Sequence, residues 1–254
     1  MKKPRRLITA NARQTEDAQL DSASFGKRFV AFLDVLGFAQ LTLRADQDPA
    51  ARKTISGAIG VLRGANNDRR DSGYQFTHFS DSIVLTADVS AAGARAIFES
   101  CCRLYLELLN RGLLLRGGLT VGNVMHEQDG MLYGSGMIEA YKLDERGIPP
   151  RIAVTLAASD ALDHVATSPF RRRYVCTDDH DLSPMMNVLE RYARLNADRI
   201  AKLPNTLRRA NRAAHTISTH AADMTMDPET RAKWRWLRAY WNRSIDRQLV
   251  DAAP

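Results

Sequence analysis

Two aspartates occupy places where a carboxylate is unusual. Asp34 interrupts a continuous apolar run, residues 28–38, which has the length of a buried central strand. Asp81 lies at the tip of a hairpin predicted from two strand patterns, residues 74–79 and 82–87. Because a buried carboxylate is costly unless it is paired or bound to a metal, both aspartates are candidates for chemistry.

The chemistry depends on whether these two carboxylates meet. If the strand that carries Asp34 lies beside the hairpin, Asp34 and Asp81 converge at one edge of the sheet. Carboxylates about 4–6 Å apart repel each other unless a cation lies between them, and oxygen ligands select Mg²⁺ or Mn²⁺. Gly37 would let backbone N–H groups approach a phosphate chain at the start of the next helix. These features favour a two-metal phosphoryl-transfer site. The alternative is that Asp34 pairs with a buried arginine and Asp81 is only a turn residue.

The elements that position these residues predict an α+β protein. Their order is β-α-β-β-α-β, then a helix and a strand, which fits a ferredoxin-like core. After Cys176 the strand patterns disappear, and residues 185–250 predict about three arginine-rich helices. The predicted organisation is an N-terminal arm (1–27), a catalytic domain (28–180) and a C-terminal helical extension (181–254), packed on the core or on a dimer.

Composition excludes several classes of protein. A chain of 254 residues that is 44% hydrophobic and 26% charged can bury a full core and is not disordered. We find no membrane-spanning run and no secretory signal, and three cysteines make neither a disulfide framework nor a zinc knuckle. We therefore expect a soluble protein of the reducing cytoplasm.

The charge distribution leaves nucleic-acid binding open as an alternative function. The net charge is +7, and residues 171–254 carry 16 basic against 10 acidic residues. Nucleic-acid binding would need the basic residues of this region to line up on one face with aromatic residues between them. The acidic residues scattered through the region weaken that alternative.

Five segments, in order over residues 28–160, resemble class III nucleotidyl cyclases. The first three resemble the family's first metal-binding strand (FLDVLGF, 32–38), its metal-binding hairpin (FSDSI, 79–83) and a glycine-bearing strand (RGGLTVG, 116–122). The last two resemble the helix with the transition-state residues (GSGMIEAYKLD, 134–144) and the next strand (PRIAVT, 150–155). The amino-acid sequences of these segments are most similar to those of the Pycsar pyrimidine cyclases of bacterial antiphage defence.

The resemblance implies a head-to-tail homodimer with active sites between the subunits. Asp34 and Asp81, with the Val35 carbonyl as a further ligand, would hold two Mg²⁺ or Mn²⁺ ions. The ions would activate the ribose 3′-hydroxyl and neutralise the triphosphate while attack on the α-phosphorus expels pyrophosphate. The substrate-binding residues it implies are Leu36, Gly37, Phe38, Thr77, Ser80, Met131 and Tyr133.

Departures from the purine-cyclase pattern point to another base. Lys142 stands where those enzymes place a transition-state arginine. It keeps the charge but lacks the bidentate fork, so Arg116 or Arg151 is expected to share the role. Thr77 and Met131 stand at the two base-reading positions and match neither the adenine pair nor the guanine pair, which suits a pyrimidine.

On family resemblance alone, the expected reaction converts UTP to 3′,5′-cyclic UMP, a second messenger in phage defence that a separate effector would read. Two alternatives remain open. One is the same chemistry on CTP, and the other is a catalytically silent cyclase-fold module that binds nucleotide or a partner protein.

Overall fold

The computed structural model of the protein describes residues 25–65, 72–127, 131–144, 149–194 and 203–245. Residues 1–24 of the predicted N-terminal arm lie outside this set, and residues 25–27 already belong to the first strand. The described strands are β1 (Phe25–Leu36), β2 (Gln75–Phe79), β3 (Ser82–Asp88), β4 (Leu114–His126), β5 (Leu132–Tyr133), β6 (Ile152–Val154), β7 (Val175–Thr177) and β8 (Pro184–Met186). The described helices are α1 (Phe38–Ala45), α2 (Pro49–Ala65), α3 (Ala91–Leu109), α4 (Ser135–Asp144), α5 (Leu156–Val165), α6 (Ser168–Tyr174), α7 (Glu190–Ala193), α8 (Pro204–Ala222) and α9 (Pro228–Ser244).

The strands form one sheet in the order β2-β3-β1-β4-β6-β8-β7, and β5 pairs with β4 outside this path. The four strands β2-β3-β1-β4 are antiparallel to their neighbours, while β6 runs parallel to β4. Helices α1 and α2 connect β1 to β2, and α3 connects β3 to β4. This is the ferredoxin-like βαββαβ arrangement, so the predicted α+β class and element order are confirmed.

The central strand β1 is buried on both faces, as its continuous apolar run predicts. Phe29, Ala31, Leu33 and Val35 belong to the main core, which lies under α2, α3 and the C-terminal helices. Val30 and Phe32 point the other way, into a small cluster beneath α4. Because side chains alternate along a strand, Asp34 lies on the same face as Val30 and Phe32. We call this side of the sheet the α4 face.

Helix α4 lies directly on the backbone of β4, and two glycines of β4 make this possible. A Cβ atom on Gly118 would come 2.5 Å from the Leu143 Cβ, and one on Gly122 would come 2.6 Å from the Gly136 Cα. Real Cβ atoms do not approach other atoms this closely, so only glycine fits at these two positions. The two glycines therefore fix how close α4 lies to β4.

The expectation that no strand follows Cys176 is wrong. Strand β8, Pro184–Met186, pairs with β6 and β7 in the same sheet. A three-residue strand is too short to produce a recognisable alternation, and it depends on its neighbours for stability. The predicted domain boundary at 180/181 thus falls between two strands that pair with each other.

The three helices expected near the C-terminus are present as α7, α8 and α9. Helix α9 buries Trp234, Leu237, Tyr240 and Trp241 in the main core, so these aromatic residues pack within the subunit. In the described part of the chain, none of the helices combines the length and apolar composition that a membrane span requires.

Candidate functional site

Asp34 lies near the end of β1, held between two neighbouring strands. It is in register with Ser82 of β3 on one side and with Arg116 of β4 on the other. The Arg116 Nε lies 3.4 Å from the Asp34 Oδ2, and the Asp34 side chain is 18% exposed. The arginine partner that the alternative interpretation expects for Asp34 is thus present, and it is Arg116.

Asp81 lies in the two-residue turn between β2 and β3, close to the end of β1. The backbone N–H of Val35 donates a hydrogen bond to the carbonyl oxygen of Asp81 over 3.0 Å. This bond ties the hairpin tip to the residue that follows Asp34. The structure thus brings the two predicted metal ligands to the same end of the sheet.

The pKa of Asp34 reflects both its burial and the nearby Asp81 carboxylate. Desolvation raises the pKa of Asp34 above its usual value, the Arg116 guanidinium opposes the rise, and the Asp81 carboxylate adds to it. The two carboxylates therefore repel each other. A cation between them would relieve both the repulsion and part of the desolvation.

The donor atoms at this position fit a hard divalent cation. Two aspartate carboxylates can supply oxygen ligands, and the Val35 backbone is hydrogen-bonded to that of Asp81. Within the described residues, no group of three or more His, Cys, Asp or Glu side chains gathers as a metal site. Mg²⁺ is typically bound by one or two carboxylates with substrate phosphates and water completing its shell, so two carboxylates suffice.

The segment predicted to cradle the triphosphate is a turn that leads into α1. Gly37 has φ +74°, which L side chains rarely adopt, and it is the N-cap residue of α1. Leu36 and Phe38 flank it and are both half-buried. Helix α1 has no acidic residue in its first turn and no side-chain cap, so no side chain of this helix offsets the positive charge of its N-terminus. Ser80, at the hairpin tip, also has a positive φ, +55°.

The three predicted cationic residues lie in different environments. Lys142 is exposed in the last turn of α4. Arg116 is paired with Asp34. The Arg151 side chain is 4% exposed and its guanidinium binds both Asp178 and Asp181, with Nη1 2.9 Å and Nη2 2.5 Å from the Asp181 carboxylate oxygens. The Arg151 guanidinium is therefore bound by two aspartates between β6 and the β7–β8 hairpin. We do not assign it to the site at Asp34.

Of the two predicted base-reading residues, Thr77 contacts a histidine and Met131 lies in the hairpin that follows this histidine. Thr77 and Met131 are far apart in the sequence. The Thr77 Oγ1 lies 2.8 Å from the His126 Nε2. Met131 closes the β4–β5 hairpin beside His126, where its carbonyl accepts a hydrogen bond from the Glu127 N–H over 2.9 Å. Tyr133, from the same hairpin, is exposed, and its ring stacks on that of Phe25 with centroids 6.2 Å apart.

His126 is the site residue that the sequence reasoning missed. It is 3% exposed, and it also bonds Thr86 of β3, with 2.9 Å between Nδ1 and Oγ1. Its only sequence signal is a polar residue at the end of a strand, next to a turn. That signal is common to many histidines that have no functional role.

No family model matches the chain, and no curated protein matches it. Among solved structures, it is similar to a bacterial light-regulated adenylyl cyclase at 13% identity, over 71% of this chain and 62% of that one, with a TM-score of 0.45. It thus spans less than two thirds of that protein.

Two further solved structures illustrate the same likeness. One is the catalytic core of a rhodopsin-guanylyl cyclase with converted specificity, at 10% identity over 65% of this chain and 94% of that one, with a TM-score of 0.45. Another is a class III adenylyl cyclase-like ATP-binding protein from Pseudomonas aeruginosa, at 14% identity over 59% and 36% of the two chains, with a TM-score of 0.40.

Proposed function

We propose that the protein is a nucleotidyl cyclase that converts UTP to 3′,5′-cyclic UMP and pyrophosphate with two Mg²⁺ or Mn²⁺ ions. The observation that carries the proposal is the convergence of Asp34 and Asp81 at one end of the sheet, fixed by the hydrogen bond from Val35 to Asp81. The raised pKa of Asp34, caused mainly by desolvation and also by Asp81, supports a site built for a cation.

Each predicted residue has a defined task in this reaction. The 3′-oxygen of the ribose forms a bond to the α-phosphorus, the bond from that phosphorus to the bridging oxygen breaks, and the hydroxyl proton passes to solvent. Asp34 and Asp81, with the Val35 carbonyl, would hold the ions. When bound, these ions lower the pKa of the 3′-hydroxyl and offset the charge of the leaving pyrophosphate.

The turn before α1 and the cations complete the phosphate site. Backbone N–H groups at Leu36–Phe38 would bind the triphosphate, because the N-terminus of α1 is free of acidic side chains. Ser80, at the tip next to Asp81, would add a hydroxyl. Lys142 is exposed at the end of α4, where it can reach a nucleotide held by a second subunit. Arg116 would be released from Asp34 when the ions bind, and its charge would then face the substrate.

We propose a head-to-tail homodimer as the active form. Several large apolar side chains on or beside the α4 face are exposed: Phe79, Met131, Tyr133, Ile138 and Tyr141. Such a surface is typical of a protein contact. In the proposed dimer, Lys142 and Thr77 of one subunit would act on a nucleotide whose metal ions are held by the carboxylates of the other.

The proposed biological role is that of a second-messenger enzyme in antiphage defence, acting in the cytoplasm. The resemblance of FLDVLGF, FSDSIV and RGGLTVG to the Pycsar cyclases supports this role. The product would be read by a separate effector chain. CTP is the alternative substrate, because uracil and cytosine differ only at position 4 and at N3.

One observation favours a second candidate function. The ion pair between Arg116 and Asp34 neutralises a carboxylate that catalysis needs. If the pair persists in the presence of nucleotide and metal, the protein would be a silent module that binds nucleotide without turning it over.

The two candidates are separated by measuring binding and turnover in the same samples. UTP and Mn²⁺ are added, affinity is measured by calorimetry, and products are identified by mass spectrometry. The cyclase proposal predicts cyclic UMP and pyrophosphate in equal amounts. UTP binding without any product would establish the silent module instead.

A further inference from the structure

A chain of three hydrogen-bonded side chains runs into the interior from Thr77, a predicted base-reading residue. The imidazole of His126 lies between the hydroxyls of Thr77 and Thr86, at 2.8 Å and 2.9 Å. Throughout the part of the chain that the structure describes, His126 is the only side-chain hydrogen-bond partner of either hydroxyl. The protonation of this one ring therefore determines what both threonines can donate or accept.

His126 is neutral at physiological pH. Desolvation lowers its pKa to about 4, and the nearby Arg28 guanidinium contributes to the shift. A neutral imidazole has one N–H donor and one lone-pair acceptor. Two arrangements are then open, with the proton on either Nδ1 or Nε2.

The burial of Thr86 selects between these arrangements. Thr86 is fully buried, so its O–H group has no acceptor other than the His126 Nδ1. Leaving a buried O–H unbonded costs more than leaving a half-exposed one, which water can reach. Thr86 therefore donates to Nδ1, and the proton of the ring lies on Nε2, which donates to Thr77.

Thr77 is then left with a hydroxyl proton that no protein group uses. Thr77 is half-buried, and its side chain lies on the α4 face, because it is in register with Val84 of the cluster there. The free proton points away from His126. In the proposed function the base lies beside Thr77, so Thr77 would be a hydrogen-bond donor to it.

Resting on the proposed function, we propose that His126 is a positioning residue that fixes Thr77 as an outward donor, which selects the 4-oxo group of uracil over the 4-amino group of cytosine. A carbonyl oxygen accepts the Thr77 hydroxyl proton. A 4-amino group can only donate, so it would leave the Thr77 hydroxyl proton without an acceptor on the base.

The test compares kcat/KM for UTP with kcat/KM for CTP in a set of variants. Thr77→Val removes the donor while keeping the shape of the side chain. Thr86→Val leaves Nδ1 without its donor, so the ring proton is no longer fixed. Each should lower the UTP-to-CTP ratio by about tenfold, the value of one neutral hydrogen bond. We expect the loss in KM for UTP rather than in kcat.

Thr120→Val is the matched control. Thr120 is also fully buried on the α4 face, but it bonds Thr155 instead of His126. Its removal should leave the ratio unchanged at a similar cost in stability. His126→Leu should lower the ratio like Thr77→Val, whereas His126→Gln should restore it, because the Gln amide can still donate an N–H to Thr77.

The outcomes separate this inference from the proposed function. If the wild-type protein forms no cyclic nucleotide from any NTP, the proposed function fails. If it cyclises UTP and the variants slow UTP and CTP equally, His126 is only structural and the inference is overturned. A wild-type preference for CTP would overturn the donor assignment of Thr77.

Discussion

At the scale of single residues, the proposed catalysis depends on a carboxylate, Asp34, whose burial disfavours its charged form. Asp34 is half-buried beside Asp81, and Arg116 compensates only part of the desolvation. Such a group is expected where a cation binds during function, because the ion supplies the missing counter-charge. The sequence predicted both aspartates, since a charge inside an apolar run and an acidic hairpin tip are visible without a structure.

Removing either carboxylate should abolish turnover and leave the fold intact. Asp34→Asn and Asp81→Asn each remove the negative charge of one metal ligand. Because the bound metal would stabilise the transition state by several kcal/mol, kcat should fall by at least about a thousandfold. Asp88→Asn is the control, because Asp88 lies on β3 with its own arginine partner, Arg28, at 3.0 Å. Turnover is measured with UTP and Mn²⁺, and folding by thermal unfolding. Retained activity in Asp34→Asn would contradict the metal assignment.

The buried His126 predicts a pH dependence of stability. Its folded-state pKa of about 4 is below the unfolded value of 6.5, so the stability it contributes is present above pH 6.5 and is lost as the pH falls toward 4. In this window the free energy of unfolding should fall by about 1.4 kcal/mol per pH unit because of this group. Denaturant unfolding at several pH values should show a shallower dependence in His126→Gln. Equal slopes in the two proteins would contradict the buried, neutral assignment.

His126 was not predictable from the sequence, for a geometric reason. Thr86 is in register with Val30, which is in register with Thr120 of β4. His126 lies six residues beyond Thr120, about 20 Å away along a flat strand. The contact with Thr86 therefore requires the outer part of β4 to curl back over the sheet, and no local pattern encodes such a curl.

At the scale of elements, the glycines of β4 determine where α4 and its lysine lie. Gly118→Ala would place a Cβ 2.5 Å from Leu143 and 2.9 Å from the Ala140 carbonyl oxygen. Helix α4 would have to move, at a cost of about 1–3 kcal/mol. We expect a lower denaturation midpoint and slower turnover, because Lys142 moves with the helix.

Gly60→Ala is the matched control for this substitution. Gly60 is exposed in α2, and an added Cβ meets nothing within 4 Å. Alanine should therefore stabilise the protein by about 0.5–1 kcal/mol through helix propensity and leave turnover unchanged. If Gly118→Ala behaves in the same way, α4 does not depend on close contact with β4.

The Arg151 cluster joins β6 to the β7–β8 hairpin and predicts a large effect on stability. Asp178 is fully buried beside the Arg151 guanidinium. Arg151→Met would leave this carboxylate without a counter-charge, so the free energy of unfolding should fall by about 3–5 kcal/mol. Arg171→Met is the control, because the Arg171–Asp163 pair is exposed and should contribute less than about 1 kcal/mol. A similar loss in both variants would contradict the structural role of Arg151.

Some elements of this fold can be predicted from the local pattern of apolar residues, and others cannot. Strands β1, β3 and β4 and helix α3 follow from runs of strand length and from helical spacing, because each buries a face large enough to leave a period. Strand β8 and the Arg151 cluster depend on pairing between residues far apart in the chain. No window of sequence contains both partners, so neither was predicted.

At the scale of the whole molecule, the site lies on a face that a single subunit leaves partly uncovered. The main core fills the other side of the sheet, with the aromatic residues of α9 inside it. Much of the net charge of +7 belongs to the C-terminal region, where arginines pair with acidic neighbours such as Glu190. This pairing weakens the prediction of a nucleic-acid partner and leaves the α4 face as the proposed contact surface.

The shared site predicts that inactive variants complement each other. Asp34→Asn lacks a metal ligand, and Lys142→Ala lacks the cation that the partner would supply. Mixing the two should restore up to about a quarter of wild-type activity, because one of the two sites is intact in the half of the dimers that are mixed. The measurement is turnover after joint refolding. A mixture no more active than its components, or a fully active monomer, would contradict the shared site.

The most direct test of the central claim is the identity of the product. The protein is incubated with equimolar ATP, GTP, CTP and UTP and with Mn²⁺, and the cyclic nucleotides are resolved by mass spectrometry. The account predicts 3′,5′-cyclic UMP as the main product with an equal amount of pyrophosphate, and none from Asp34→Asn. The absence of any cyclic nucleotide from a folded protein would contradict it.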